Sequence, residues 1–497
     1  MRMIPTLLFL GALVAGPATA QARDCPIRDE ASGGPVDARV RRIMANLRLP
    51  VQVPGERAST LGERMRAYGV PGVSVAVIHR GRIAWARGWG VRDAATCAPV
   101  TPDTMFQAAS ISKVVTAMLA LRLVEQGKIA LDNDINTALR SWHLPPDAKL
   151  APRGVTLRQL LSHTAGLGVH GFAGYATGAP LPSTVQILEG SSPANSEAVR
   201  STLPAGGQWR YSGGGYVVTQ LALSDVSGLS FARLADRDIL RPLRMAHSTF
   251  SLTSAPTIHS DLAFGHANGQ PIAGNYHVYP ELGPAGLWTT ARDLARLLID
   301  VQASAQGRPG HRLSPAMTAT MLTPVRGNWG LGPMLYTDGA RRFGHDGVNE
   351  GYQSSMVAYA DRGDGIAILT NGGQGRRLMD EIVRAVATEY GWSEIAAPAA
   401  TEQQLSAAAL SKRAGRFDGG DLSVTFEARK DGLYAHTGGP APERLIALPG
   451  DRFFTAGMGI VIRFAPDADH FDIIEGGPPI RFERQPTSEN TEGPKPG

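Results

Sequence analysis

Lys113 is the residue that most restricts how this chain can fold. Val114, Val115, Met118, Leu119 and Leu123 come after it at helical spacing, so a helix that buries them takes the lysine in with it. The chain holds six lysines among its 49 basic residues, at 113, 128, 149, 412, 430 and 495, and the other five stand in polar or turn-like surroundings. Arginine keeps its proton inside proteins, whereas a desolvated lysine can lose it and act as a base. Ser110 lies three residues earlier, on the same helical face. A serine hydroxyl is a weak nucleophile until a neighbouring base takes its proton, and a lysine at i+3 is within reach. A helix start would add unpaired backbone N–H groups and the positive end of the dipole, both favourable to negative charge. The same pattern also fits an N-capping serine next to a snorkelling surface lysine. Its weight therefore depends on the motifs further along the chain.

Residues 1–20 read as a secretory signal: Arg2, an apolar run from Leu7 to Val14, then Ala18-Thr-Ala20 before Gln21. The run is too short to stay as a membrane span, and no later stretch reaches eighteen apolar residues. A secreted or periplasmic product cleaved after Ala20 is expected. Ala22-Arg23-Asp24 before Cys25 does not suit lipid attachment. In an exported chain, Cys25 and Cys97 are the candidate pair for one disulfide. There is no CxxC, HxH or HExxH, so no metal and no cofactor is expected. Nor is there a G-x-S-x-G elbow, which argues against an α/β-hydrolase. The formal charge of +5 becomes +4 without Arg2, and no basic run supports a nucleic-acid partner.

The 497 residues less this signal are too many for one core and fit two or three domains. After an N-terminal arm over 21–54, residues 73–78 and 83–89 alternate around Arg80-Gly81 as a β-hairpin. Helices are predicted from Ser110 to near Gly127, over 156–161, over 216–226 and over 290–301. Residues 168–208, rich in Gly, Pro and Ala, read as a long irregular region, and Gly213-Gly214-Gly215 as a segment that calls for positive φ. Strands over 351–360 and 365–369 and a helix over 378–390 close the region. Strands at both ends and helices between predict one sheet assembled from the two ends, beside a helical insert. The first large domain is thus 55–394, with a linker after it at 395–410. Residues 411–484 then show only β patterning, a small sandwich or barrel, before a polar tail at 485–497.

Two further motifs give Ser110 and Lys113 their context: Gln208-Trp-Arg-Tyr211-Ser212-Gly213-Gly-Gly-Tyr216 and Phe343-Gly-His345-Asp346-Gly347-Val348. Leu160-Leu-Ser-His163-Thr-Ala-Gly-Leu167 and Gly283-Pro-Ala-Gly286-Leu-Trp-Thr-Thr-Ala-Arg-Asp293 accompany them. In this order they resemble the class C β-lactamase-like serine hydrolases, penicillin-recognising enzymes that include DD-peptidases, carboxylesterases and D-aminopeptidases. The resemblance covers residues 55–392. It implies a β-lactamase/transpeptidase-like α/β (α+β) fold, a central antiparallel sheet with helices on both faces. It also implies Ser110 as nucleophile, Lys113 as its activating partner and Tyr211 as a second proton carrier, phenol or phenolate, held by Lys113. His345, Gly347 and Gly213 would lie in the substrate pocket, and the N–H groups of Ser110 and Val348 would form an oxyanion hole.

Two departures shape the expected substrate. Gly213 stands where the lactamases and DD-peptidases usually carry an asparagine that binds the acylamino group, and His345 where the lactamases carry lysine. Both point to a hydrolase of a small ester, amide or peptide, possibly of cell-wall origin, rather than to a dedicated β-lactamase. The alternatives are a β-lactamase and a low-turnover penicillin- or cell-wall-binding protein. His163 is read as shaping its loop, Tyr216 as core, and Trp209 and Trp288 as residues of the cleft or of the packing.

Overall fold

The computed structural model describes residues 25, 27, 34–49, 51, 57–251, 261–267, 269–396, 402–419, 422–436, 442–455, 460–473 and 480–486. The expected signal segment, the middle of the linker and nearly all of the tail lie outside them. The chain forms two compact units, one within Gln21–Met44 and Thr60–Val383, the other within Ala45–Ser59 and Arg384–Gly497.

The larger unit is built on seven antiparallel strands. In chain order they are β1 (Gly72–His79), β2 (Arg82–Asp93), β3 (Ala98–Pro99), β4 (Met334–Tyr336), β5 (Arg342–Asn349), β6 (Tyr352–Tyr359) and β7 (Gly365–Thr370). The spatial order is β4-β5-β6-β7-β1-β2-β3. The two ends of the unit meet where β1 pairs with β7, Val75 opposite Ile368, as the separated strand signals predicted. β1 and β7 are buried along almost their whole length, which explains their near-continuous apolar runs. The helix Ala291–Ala305 packs across β1, β2, β6 and β7.

Between the two groups of strands lies the helical part. The helix Ser112–Glu125 is apolar all round and buried from Ser112 through Leu121, so it runs through the core. The helix Gly213–Ser227 beside it is buried from Gly213 through Leu223. Its first turn takes in all three glycines, and none of them has positive φ, which corrects the sequence expectation. Ser212 caps the helix by accepting from the Gly215 N–H at 3.0 Å. Close packing selects these glycines: a Cβ on Gly213 would lie 2.9 Å from the Phe172 ring, and one on Gly214 2.9 Å from the Gly168 carbonyl oxygen. The irregular 168–208 region also holds a short helix, Thr184–Glu189, with a Ser183 capping box that its weak periodicity concealed.

In the smaller unit eight strands between Gly415 and Arg484 close into an antiparallel barrel. Phe417, Phe426, Phe453, Phe464, Phe471 and Phe482 are buried together, so the centre of the barrel is a packed core. Leu49 and Val51 pack on Ile446, Leu448 and Phe454. Residues 45–59, divided in the sequence reading between the arm and the first domain, thus group with the barrel. The expected linker contributes the start of the helix Ala407–Arg413.

Candidate active site

Ser110 sits in the single 3₁₀ turn Ala109–Ile111 that leads into the buried helix Ser112–Glu125. Ala109 has φ of 49°, a left-handed conformation that costs an alanine energy and marks a backbone held in place by its surroundings. Those surroundings are identifiable. The Ala108 N–H donates to the Leu287 carbonyl at 2.8 Å, and the Ala108 carbonyl accepts from the Ser354 hydroxyl at 2.8 Å. The Ser112 hydroxyl donates to the Ala109 carbonyl and accepts from the Leu287 N–H at 3.0 Å.

Lys113 is 2 % exposed. Its Nζ donates to Ser110 Oγ at 2.9 Å and to the Pro284 carbonyl at 3.0 Å, with no carboxylate among its hydrogen-bond partners in the described structure. Nζ also lies 4.8 Å from the centre of the Tyr211 ring. Burial disfavours the ammonium form and pulls the Lys113 pKa from 10.5 to about 7.

The Tyr211 hydroxyl faces Ser110, whose side chain lowers the phenol pKa against the larger effect of burial. Burial raises its pKa well above the usual phenol value, so it is a phenol at neutral pH. Of the two forms the sequence left open, the structure favours the phenol, with the lysine over the ring and the serine at the hydroxyl. His163 stacks on Tyr211 with ring centres 4.3 Å apart. Its Nδ1 accepts from the Ser212 N–H at 3.1 Å, so the ring proton resides on Nε2. Burial, and after it the neighbouring Lys113 charge, holds His163 neutral. His163 and Val169 both have φ of 60°. Their loop receives the Arg210, Gly213 and Gly214 N–H groups on the carbonyls of His163, His170 and Val169. The sequence marked His163 only as a loop residue; its contact with Tyr211 comes from a pairing 48 positions apart that no local pattern reveals.

β5 runs beside the Ser110 turn. A Cβ on Gly347 would stand 2.3 Å from the Ala108 carbonyl oxygen and 3.0 Å from the Ala109 Cβ, so glycine alone allows this approach. Val348 comes next and is 69 % exposed. His345 is buried, its Nδ1 hydrogen-bonded to the Asp346 carbonyl. Burial and then the Lys113 charge pull its pKa to about 4. His345 is thus neutral at pH 7. Among the described residues, neither its Nε2 nor that of His163 has a hydrogen-bond partner. Tyr216 is core, donating to the Leu161 carbonyl at 2.9 Å. Trp288 packs with Tyr276 and Tyr352, whereas Trp209 is exposed next to Tyr211. Cys25 and Cys97 are joined as a disulfide, with Cα atoms 5.5 Å apart.

A buried lysine hydrogen-bonded to a serine at a helix start, beside a seven-stranded antiparallel sheet, defines a class: serine hydrolases of the β-lactamase/transpeptidase fold. The chain belongs to the beta-lactamase family, whose model matches residues 57–389. Penicillin-binding protein 4 of Amycolatopsis lactamdurans is 28% identical over 368 residues, covering 69% of this chain and 93% of that protein. The unguisins hydrolase of Aspergillus violaceofuscus is 26% identical over 355 residues, covering 62% of this chain and 59% of that protein. Among solved structures, the octameric penicillin-binding protein homologue from Pyrococcus abyssi superposes with a TM-score of 0.59 at 22% identity. That match covers 85% of this chain and 98% of the other. Among the described residues no helix is long and apolar enough to cross a membrane.

Proposed function

We propose that the protein hydrolyses a small ester, amide or peptide bond through an acyl-enzyme on Ser110. The observation that carries this reading is Lys113: buried, 2.9 Å from Ser110 Oγ, with a pKa near 7. In its neutral form the amine keeps one N–H for the Pro284 carbonyl and turns its lone pair to the serine O–H. It takes that proton as Ser110 Oγ bonds to the substrate carbonyl carbon. The N–H groups of Ser110 and Val348 stabilise the oxyanion, a contribution of about 10²–10³ in rate per donor. Collapse breaks the bond to the leaving group, which receives its proton from the Lys113 ammonium through the Tyr211 hydroxyl. Water then attacks the ester on Ser110 by the same proton path in reverse.

An esterase or peptidase is favoured over a dedicated β-lactamase because His345 is neutral and Gly213 has no side-chain amide. Export is part of the proposal, and the Cys25–Cys97 disulfide supports it, since such bonds persist in oxidising compartments. The test is labelling with a fluorophosphonate, intact-mass and peptide mapping, and a panel of short-chain esters, D-amino-acid amides and nitrocefin. A single adduct on Ser110, no turnover by Ser110→Ala, and esters or amides ahead of nitrocefin are expected. An adduct on another serine, or full activity in Ser110→Ala, overturns the mechanism; nitrocefin as the better substrate by tenfold replaces the esterase reading with a lactamase.

A further inference from the structure

The surroundings of Ser110 and Tyr211 are aromatic, and Trp209 is the large apolar ring of that group that meets solvent. Trp209 is 38 % exposed and lies 5.3 Å from Trp329 and 6.4 Å from Tyr211, centre to centre. Trp329 is buried, edge-on to Tyr211 at 5.9 Å and to His345 at 5.6 Å. His163 completes the cluster behind Tyr211. The exposed tryptophan is therefore the outer face of a ring cluster that leads inward to Tyr211, beside Ser110.

Most ionisable groups near this wall are held by neighbours, and the exposed His170, whose ring lies 5.0 Å from that of Tyr211, is drawn toward its neutral form by burial and the Lys113 charge. Lys113 is buried and bonded to Ser110 and Pro284. Asp346 is paired with Arg376, which also holds Asp380. Arg210, next to Trp209 in sequence, donates to the Thr202 hydroxyl at 2.7 Å. His345 is neutral and bonded to a backbone carbonyl. An ionic substrate group set against the rings would have to be desolvated there or break one of these pairs, either of which costs free energy. An uncharged apolar or aromatic group instead gains by covering the exposed indole.

We infer that Trp209 is a specificity-determining residue, the contact face of a subsite for an uncharged aromatic or apolar arm of the substrate. The inference rests on the proposed Ser110 hydrolase and names the class of compound that site selects. It concerns preference among substrates and leaves the bond-breaking steps unchanged.

Two substrate pairs test it, each differing by one phenyl group: p-nitrophenyl acetate against p-nitrophenyl phenylacetate, and methyl acetate against benzyl acetate. The first varies the acyl half, the second the alcohol half. Trp209→Ala should lower kcat/KM about tenfold for the phenyl-bearing member of one pair, equal to about 1.4 kcal/mol. The matched small ester should stay within about twofold. Trp209→Phe, which restores a ring, should recover most of the loss. Equal effects on both members of both pairs, or no recovery by phenylalanine, would overturn the inference. Failure of the underlying hydrolase reading looks different: Ser110→Ala would then leave the wild-type hydrolysis of these esters intact.

Discussion

Replacing Lys113 with methionine should abolish turnover and yet make the protein more stable at and below neutral pH. The fall of the Lys113 pKa from 10.5 to about 7 corresponds to about 5 kcal/mol at ~1.36 kcal/mol per pH unit. That is an order-of-magnitude cost of keeping a buried ammonium at low pH, and methionine fills similar volume without it. Against this gain stand the two lost hydrogen bonds to Ser110 and Pro284, about 2 kcal/mol together. A net gain of roughly 1–3 kcal/mol is expected at pH 6. Between the folded value near 7 and the unfolded value of 10.5, the unfolded chain holds a proton that the folded chain lacks, so the wild type gains stability as pH rises. By pH 9 the advantage of the variant should have shrunk by about 2–3 kcal/mol. Urea denaturation of both proteins at pH 6, 7.5 and 9 measures the difference. A variant less stable than wild type at pH 6, or a difference that ignores pH, would refute the reasoning.

The same lysine sets the pH dependence of the rate. Wild-type kcat/KM should rise with pH through an apparent pKa near 7, as Lys113 becomes neutral. Glu281 titrates in the same range, since burial pushes its pKa up to about 7. Glu281→Gln separates the two: the limb persists if Lys113 carries it and disappears if the carboxyl does. Both proteins in the stability comparison contain Glu281, so its contribution cancels there. The loop that holds Tyr211 gives two further outcomes. His163→Ala removes the stacked ring and the acceptor for the Ser212 N–H, and should lower kcat by about 10–100-fold, with KM little changed. His163→Asn restores an acceptor near the Nδ1 position and should recover part of that loss; steady-state kinetics on both variants, with melting curves as a control, decide it. Gly213→Asn should destabilise the protein by about 1–3 kcal/mol and fail to create an amide subsite, because its Cβ would press on Phe172 and the His170 carbonyl. Pairing it with Phe172→Ala should relieve part of the destabilisation, read as a difference in denaturation midpoint.

Much of this architecture could be read from the sequence because burial leaves a pattern. The buried strands Gly72–His79 and Gly365–Thr370 show as apolar runs, and the buried helix Ser112–Glu125 shows as an apolar stretch that traps a lysine. Gly347 stood out through its motif, and the structure gives the reason: a backbone carbonyl stands where its Cβ would be. Gly213 misled, because a run of glycines signals positive φ and close packing alike, and only the fold shows which neighbour approaches. Residues 45–59 were assigned by sequence proximity, although the partners of Leu49 and Val51 lie near residue 450, in the barrel. The charge states were the least legible feature. His345 stood out in the sequence as a departure from lysine, and the structure supplies the cause of its neutral form, burial beside Lys113.

That neutrality has a consequence for catalysis on the proposed reading. At pH 7 His163 and His345 are uncharged, Tyr211 is a phenol and Lys113 is close to half-neutral, each chiefly because water is excluded. With neutral Lys113 the ground state then places no net charge on these four side chains. Proton transfer from Ser110 creates an ammonium and an oxyanion together, in surroundings where each stabilises the other far more than in water. The counter-charge and the fixed N–H donors offset the desolvation that makes a lone ammonium expensive. A positive histidine at 345 would also attract an anionic substrate before reaction, and binding shared by ground and transition state does not raise kcat. With His345 neutral, the oxyanion is left on the proposed reading to the two backbone N–H donors and the Lys113 ammonium.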